Sequence, residues 1–176
     1  MTLTIQTASQ EIAITFAQQI NLANRLAGEQ QFSVISTVLK ETNWKLFFED
    51  TLAFKKMPEY CYSNIIRLPS LTVSVFHWNK ACLVHRHLDL AGHSIPAYIF
   101  ALEGRSIHSV YGINSQVEHD VYLNHCRNQL LSPGDIDFVL PEQAHYLYPL
   151  EKFTSVHIYL GSLAAADSSL HYQILQ

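Results

Sequence analysis

The stretch Val84–Gly104, VHRHLDLAGHSIPAYIFALEG, sets two histidines two residues apart, His85 and His87, ahead of an apolar run that closes on Glu103-Gly104. Both ends have strand character, which predicts strands over Leu83–His87 and Tyr98–Glu103. Successive side chains of a strand point to opposite faces, so His85 and His87 share one face and Arg86 takes the other. Two adjacent imidazoles on an inward face do not both bury as cations. Either they lie exposed on a polar edge, or they share a metal that needs them neutral. H-x-H by itself does not choose between the two.

Working outward, the same short apolar runs recur along most of the chain. Strands are predicted at Tyr60–Arg67, Thr72–Trp78, Ser106–Tyr111, Val121–Asn124, Asp137–Leu140 and Thr154–Leu160, with turn residues such as Leu68-Pro69-Ser70 and Pro133-Gly134-Asp135 between them. Many short strands with tight turns make a β-sandwich or barrel. The first fifty residues differ. Ile12, Phe16, Ile20, Ala23 and Ala27 recur at helical spacing, so Ser9 would cap a helix over Gln10–Ala27 with Gly28 as its stop. A second helix is predicted over Ser33–Phe48. The reading is one domain, 1–176, with a helical segment over 1–55 and a barrel over 60–165.

The net charge of −4, with Lys and Arg dispersed, argues against nucleic acid or an anionic membrane surface as partner. No apolar run approaches the ~20 residues of a membrane span. The N-terminus shows no secretory pattern. The three cysteines form no C-x-x-C pair, so a disulfide framework and a cysteine zinc site are not expected, and the cytoplasm is the default compartment. Ten histidines are many for such a chain. His108, His119, His125 and His171 belong to no pattern and read as surface residues, His93 as a surface or pocket-rim residue that competes weakly as a third ligand, and Trp78 as core.

Ser132–His145, SPGDIDFVLPEQAH, has a Pro-Gly-Asp turn opening a strand, a proline ending it, and a histidine where the next strand should begin. With H-x-H and the Glu103-Gly104 turn, this resembles the two split motifs of the cupin superfamily. The resemblance implies an all-β fold, a cupin-type double-stranded β-helix (jelly-roll barrel) behind an N-terminal α-helical segment. It also implies His85, His87 and His145 as ligands of one metal. The usual cupin glutamate falls on Ala97, which leaves three neutral ligands and no carboxylate. Ligand type alone does not separate iron from zinc, nickel or copper.

Thr154–Leu160, TSVHIYL, is the second signature. Ser155, His157 and Tyr159 share one strand face, while Val156, Ile158 and Leu160 share the other, so both faces look buried. A buried polar row must be hydrogen-bonded, and a relay from serine through imidazole to phenol would satisfy it. S-x-H-x-Y after a lone histidine, downstream of a cupin core, resembles the cysteine dioxygenase family of thiol dioxygenases. That resemblance covers roughly Asn43 to Gly161. It implies Fe(II) on His85, His87 and His145, with Zn or Ni possible as the bound metal, and Tyr159 as the catalytic phenol oriented by His157 and Ser155. The implied reaction joins a small thiol, cysteine or a related mercapto compound, with O2 to give a sulfinate. The family's carboxylate-binding arginine falls on Tyr62 or Ser63, neither of them cationic; Tyr62 and Arg67 are the candidate substrate-binding residues. Ala97 stands where some members carry a crosslinking cysteine, and the segment 88–96 is longer than the family's link. The alternatives are a non-catalytic metal- or metabolite-binding cupin with a regulatory role, and a cupin isomerase or ring-cleaving dioxygenase.

Overall fold

The structure is a computed structural model that describes residues 8–45, 54–82, 84–164 and 170–175. Two helices come first, α1 (Ala8–Ala23) and α2 (Gly28–Glu41). The strands follow: β1 (Lys55–Lys56), β2 (Tyr60–Leu68), β3 (Leu71–Trp78), β4 (Ala97–Glu103), β5 (Ser106–Val117), β6 (Asp120–Leu131), β7 (Ile136–Val139), β8 (Gln143–Pro149), β9 (Phe153–Tyr159) and β10 (His171–Ile174). They form two sheets, a six-stranded one in the order β1-β2-β3-β9-β4-β7 and a four-stranded one in the order β10-β6-β5-β8. All pairings are antiparallel except β10 with β6.

The predicted helices are both present with shifted ends. Ser9 lies inside α1 rather than capping it, and α1 stops at Ala23 rather than Ala27. Gly28, at φ +56°, opens α2. The predicted end of the second helix at Phe48 lies outside the described residues. The strands β5 and β6 run far beyond their predicted lengths as one long hairpin, and β10 joins the sheet past residue 165. The Glu103-Gly104 turn needs its glycine twice over. Its φ is +72°, and a Cβ there would fall 1.9 Å from the Lys152 carbonyl oxygen.

The helices lie on the outer face of the six-stranded sheet. Phe16, Ile20, Ile35, Leu39 and Trp44 pack with Val73, Tyr98, Phe100, Val156 and Ile158. The inner face of that sheet packs a second core against the other sheet, with Trp78, Ala97, Ile99, Leu131, Leu147 and Phe153 among its members. This explains why β9 looks buried on both sides. Val156 and Ile158 face the helices, and Ser155, His157 and Tyr159 face the interior.

The H-x-H segment departs from its expected form. Among the described residues, 79–96 contains no regular strand, only isolated bridges. His85 pairs with His145 through reciprocal backbone bonds, His85 N–H to His145 carbonyl at 3.1 Å and the reverse at 2.8 Å. His87 offers its carbonyl to Ile95 N–H at 3.0 Å. Between them and β4, residues 88–96 fold into a small tied loop. Leu88 bridges Ser94, and the Asp89 carboxylate accepts the N–H groups of Ala91 and His93, both at 2.8 Å.

Candidate metal centre and its aromatic cavity

His145 sits near the start of β8, opposite Val110 of β5, with no exposed surface. Its Nε2 lies 3.0 Å from His85 Nε2 and 3.1 Å from His87 Nε2. The three residues present ring nitrogens within 4.8 Å of one another and are the one such cluster among the described residues. Segment 84–88 and strand β8 are therefore locked by the backbone bonds at His85, and the three rings meet where those bonds hold them.

Electrostatics keeps His87 and His145 neutral. Burial, then the neighbouring His85, His157 and His108, hold the His87 pKa well below its ordinary value. Burial and the rings of His85, His87, His108 and His157 do the same for His145. Neutral imidazoles offer lone pairs, which a divalent cation requires. Nitrogens about 3 Å apart fit one ion held at about 2.1 Å from each. The donor set suits it, and no carboxylate takes part. Ala97, where the resemblance would place an acid, is fully buried and stands opposite Tyr159 in the β4–β9 register.

The polar row on β9 closes as a chain. The Trp78 indole N–H donates to Ser155 Oγ at 2.8 Å, Ser155 Oγ is 3.0 Å from His157 Nε2, and His157 Nδ1 is 3.2 Å from Tyr159 Oη. An indole only donates, so the serine oxygen accepts from Trp78 and its hydroxyl hydrogen is free to go to His157 Nε2. Burial first, then the His85 and His108 rings, depress the His157 pKa and keep the ring neutral. With the serine donating to Nε2, the ring's single hydrogen sits on Nδ1 and is given to Tyr159 Oη. The Tyr159 hydroxyl keeps its own hydrogen for a partner in the cavity. Burial, followed by Tyr60, Cys82 and Tyr62, raises the Tyr159 pKa well above its ordinary value. The ring of Tyr159 packs edge-on against His87, with centroids 4.8 Å apart.

His85, His87, His157 and Tyr159 open on a cavity of about 430 Å³ walled by Tyr60, Tyr62, Phe76, Trp78 and Tyr172. Tyr62, a candidate substrate-binding residue, lines this cavity and stacks on Phe76 with ring centroids 5.6 Å apart. Arg67 does not belong to that wall. It is exposed near the end of β2, and a bulge between Asn64 and Ile66 breaks the parity that would have put it with Ser63. Arg86 takes part instead. Without a regular strand at 84–88, it does not turn away from its neighbours; it lines the cavity, with Nε buried and lacking a hydrogen-bond partner. Cys82 also lines it, but burial pushes its thiol up to about 11, so it stays protonated at neutral pH. A second cavity of about 450 Å³, between α2 and the turn at Gly134, contains no histidine.

Of two further histidines, His93 takes the surface place expected of it and His108 does not. His93 is exposed and paired with Asp89 at 3.4 Å, away from the cluster. His108 is fully buried. Its Nε2 is 2.9 Å from His145 Nδ1 and its Nδ1 2.7 Å from Asp137 Oδ2, and Arg127 binds Asp137 Oδ1 at 2.6 Å. Burial opposes the Asp137 charge, but His108, Arg127 and the Phe138 N–H outweigh it and hold its pKa below the ordinary value. The strand period contained a signal. His108 shares parity with Val110, the register partner of His145.

No protein-family model matches the chain, and no curated protein matches it. Solved structures do. The oxalate decarboxylase of Bacillus subtilis, described with Mn(II) centres, superposes with a TM-score of 0.51 at 12% identity over 69% of this chain and 30% of its own. The oxalate decarboxylase of Lactobacillus farciminis, in complex with formate, gives 0.50 at 8% identity over 68% of this chain and 34% of its own. An RmlC-like cupin from Shewanella frigidimarina gives 0.48 at 14% identity over 62% of this chain and 84% of its own. The chain thus spans about a third of each decarboxylase. Its fold is the cupin jelly roll behind two helices, as the split motifs imply.

Proposed function

We propose that this cupin is a mononuclear iron thiol dioxygenase that takes a small thiol carrying an anionic group and O2 to a sulfinate. The observation that carries the reading is the Tyr159 phenol. It is held by Trp78, Ser155 and His157, packed on His87, and opens on the same cavity as the three-histidine cluster. A purely structural polar row has no need to end in a phenol packed on a ring of the histidine cluster. His85, His87 and His145 would hold the ion, with Zn or Ni able to occupy the same nitrogens. Bound there, iron supplies thiolate binding and oxygen activation. In the net reaction RS⁻ and O2 give RSO2⁻, so both oxygen atoms end on sulfur, which loses the four electrons that O2 gains.

The chain's own residues do the rest. Tyr159 donates its hydroxyl hydrogen to the substrate group beside His87, and His157 and Ser155 fix that direction. The aromatic wall excludes water from the reacting atoms. Arg86 is the one Lys or Arg among the lining residues, and its unpartnered Nε offers half of the fork that grips a carboxylate. It takes the substrate-binding part that Arg67 cannot.

The test is oxygen uptake by protein loaded anaerobically with Fe(II), against cysteine, 3-mercaptopropionate, homocysteine and cysteamine. Uptake with a carboxylate-bearing thiol, and a matching sulfinate product, is expected. Iron binding without uptake on any thiol would leave a non-catalytic metal-binding cupin.

A further inference from the structure

We propose that His108 and Asp137 are a tautomer lock on His145: positioning residues that keep hydrogen off the nitrogen the metal would take. The inference rests on the metal reading of His85, His87 and His145. It follows from counting donors along a chain that crosses the interior from one sheet to the other. Asp137, on β7, faces inward beside Ile99, and His108, on β5, faces it from the opposite sheet. Both are buried. A carboxylate only accepts. Asp137 Oδ1 already accepts from Arg127 Nη2 at 2.6 Å and from the Phe138 N–H at 2.8 Å, and Oδ2 is left for His108 at 2.7 Å. His108 must therefore donate from Nδ1. A neutral imidazole carries one hydrogen, so with Nδ1 donating to Asp137 the Nε2 of a neutral His108 is an acceptor. His145 must then donate from Nδ1 across 2.9 Å, which leaves its Nε2 bare toward His85 and His87.

Metal-binding histidines are commonly held in this way by a carboxylate or carbonyl on the far nitrogen, and loss of the support costs about 10–100-fold in metal affinity. Here an extra imidazole is inserted between ligand and carboxylate. His87 has no such support, since its buried Nδ1 has no partner. His145 is thus the ligand whose tautomer is set in advance.

Asp137→Asn tests the lock with no change of shape. The amide oxygen stays with Arg127 and the Phe138 N–H, so the amide nitrogen faces His108 and donates to it. His108 Nδ1 becomes the acceptor, its Nε2 the donor, and His145 receives a hydrogen on Nε2. Two readouts follow. Imidazole ¹⁵N shifts of the metal-free protein should report the Nδ1–H tautomer of His145 in the wild type and the Nε2–H tautomer in the variant. Zn(II) affinity, by competition with a chelating dye, should fall about 10–100-fold. His108→Phe keeps a ring in the space and removes the lock by another route, and it should also weaken Zn(II) binding. An unchanged His145 tautomer in folded Asp137→Asn protein, or Zn(II) affinity within about 3-fold of wild type in His108→Phe, overturns the proposal. A wild type that binds neither Zn(II) nor Fe(II) defeats the metal reading instead, and the nitrogen shifts still decide the lock.

Discussion

Lowering the pH should unfold the metal-free protein through three named rings. His87, His145 and His157 are fully buried, and burial, reinforced by neighbouring histidines, holds each pKa well below the ordinary 6.5. In the unfolded chain each ring returns to about 6.5. A depressed folded pKa means that the unfolded state binds more protons as pH falls. The stability is therefore fully present above about 6.5 and is lost as the pH drops toward the folded values. Between pH 7.5 and pH 5.5 a ring that stays neutral in the folded state forfeits about 1.4 kcal/mol, so three such rings forfeit about 4 kcal/mol, a large part of a typical 5–15 kcal/mol. Urea unfolding of metal-free protein at the two pH values measures it. His157→Gln should remove about a third of the difference, because one titrating ring is gone. A loss under about 1 kcal/mol in the wild type would mean that the rings accept protons in the folded state, and the account of a neutral cluster would fail. Saturating Zn(II) at pH 7.5 should raise the urea midpoint, since binding to the folded state alone adds to stability by mass action.

Tyr159→Phe keeps the ring against His87 and removes only the hydroxyl. Turnover should drop about 10²–10⁴-fold with Fe(II) binding preserved, and unchanged turnover would remove the phenol from the reaction. Arg86→Met should raise KM for 3-mercaptopropionate while leaving cysteamine, which has no carboxylate, unaffected; an equal change for both thiols would deny Arg86 a role in recognition. Ser155→Ala strands the Trp78 indole N–H and the His157 Nε2, two buried groups costing about 1–3 kcal/mol each. Chemical denaturation should show a loss of about 2–5 kcal/mol, and Trp78→Phe in the same chain should recover part of it.

Pattern alone determined the β-rich class of fold, and the three ligand candidates came from the resemblance to cupin motifs. Period-two alternation and tight turns specify strands wherever one side is apolar, and the split motifs marked His85, His87 and His145 before any geometry was known. The relay on β9 was equally legible, because Ser155, His157 and Tyr159 lie on one strand, where parity alone makes them neighbours.

What parity could not reveal was which face of a strand looks inward once helices cover the outside. On β7 the acidic Asp137 stands between apolar Ile136 and Phe138. In the folded chain Phe138 packs outward on Phe32 of α2, and Asp137 points into the interior to hold His108. The same blindness hid His108, whose partners lie on other strands, and misplaced Arg67, because a bulge shifts parity without leaving a mark in the sequence. Arg86 entered the cavity because its segment is pinned by isolated bridges and not by a ladder. Local alternation is written residue by residue along the chain. The pairing of two sheets, and the layer of helices that decides what counts as inside, arise from contacts between distant segments, and only the tertiary structure decides them.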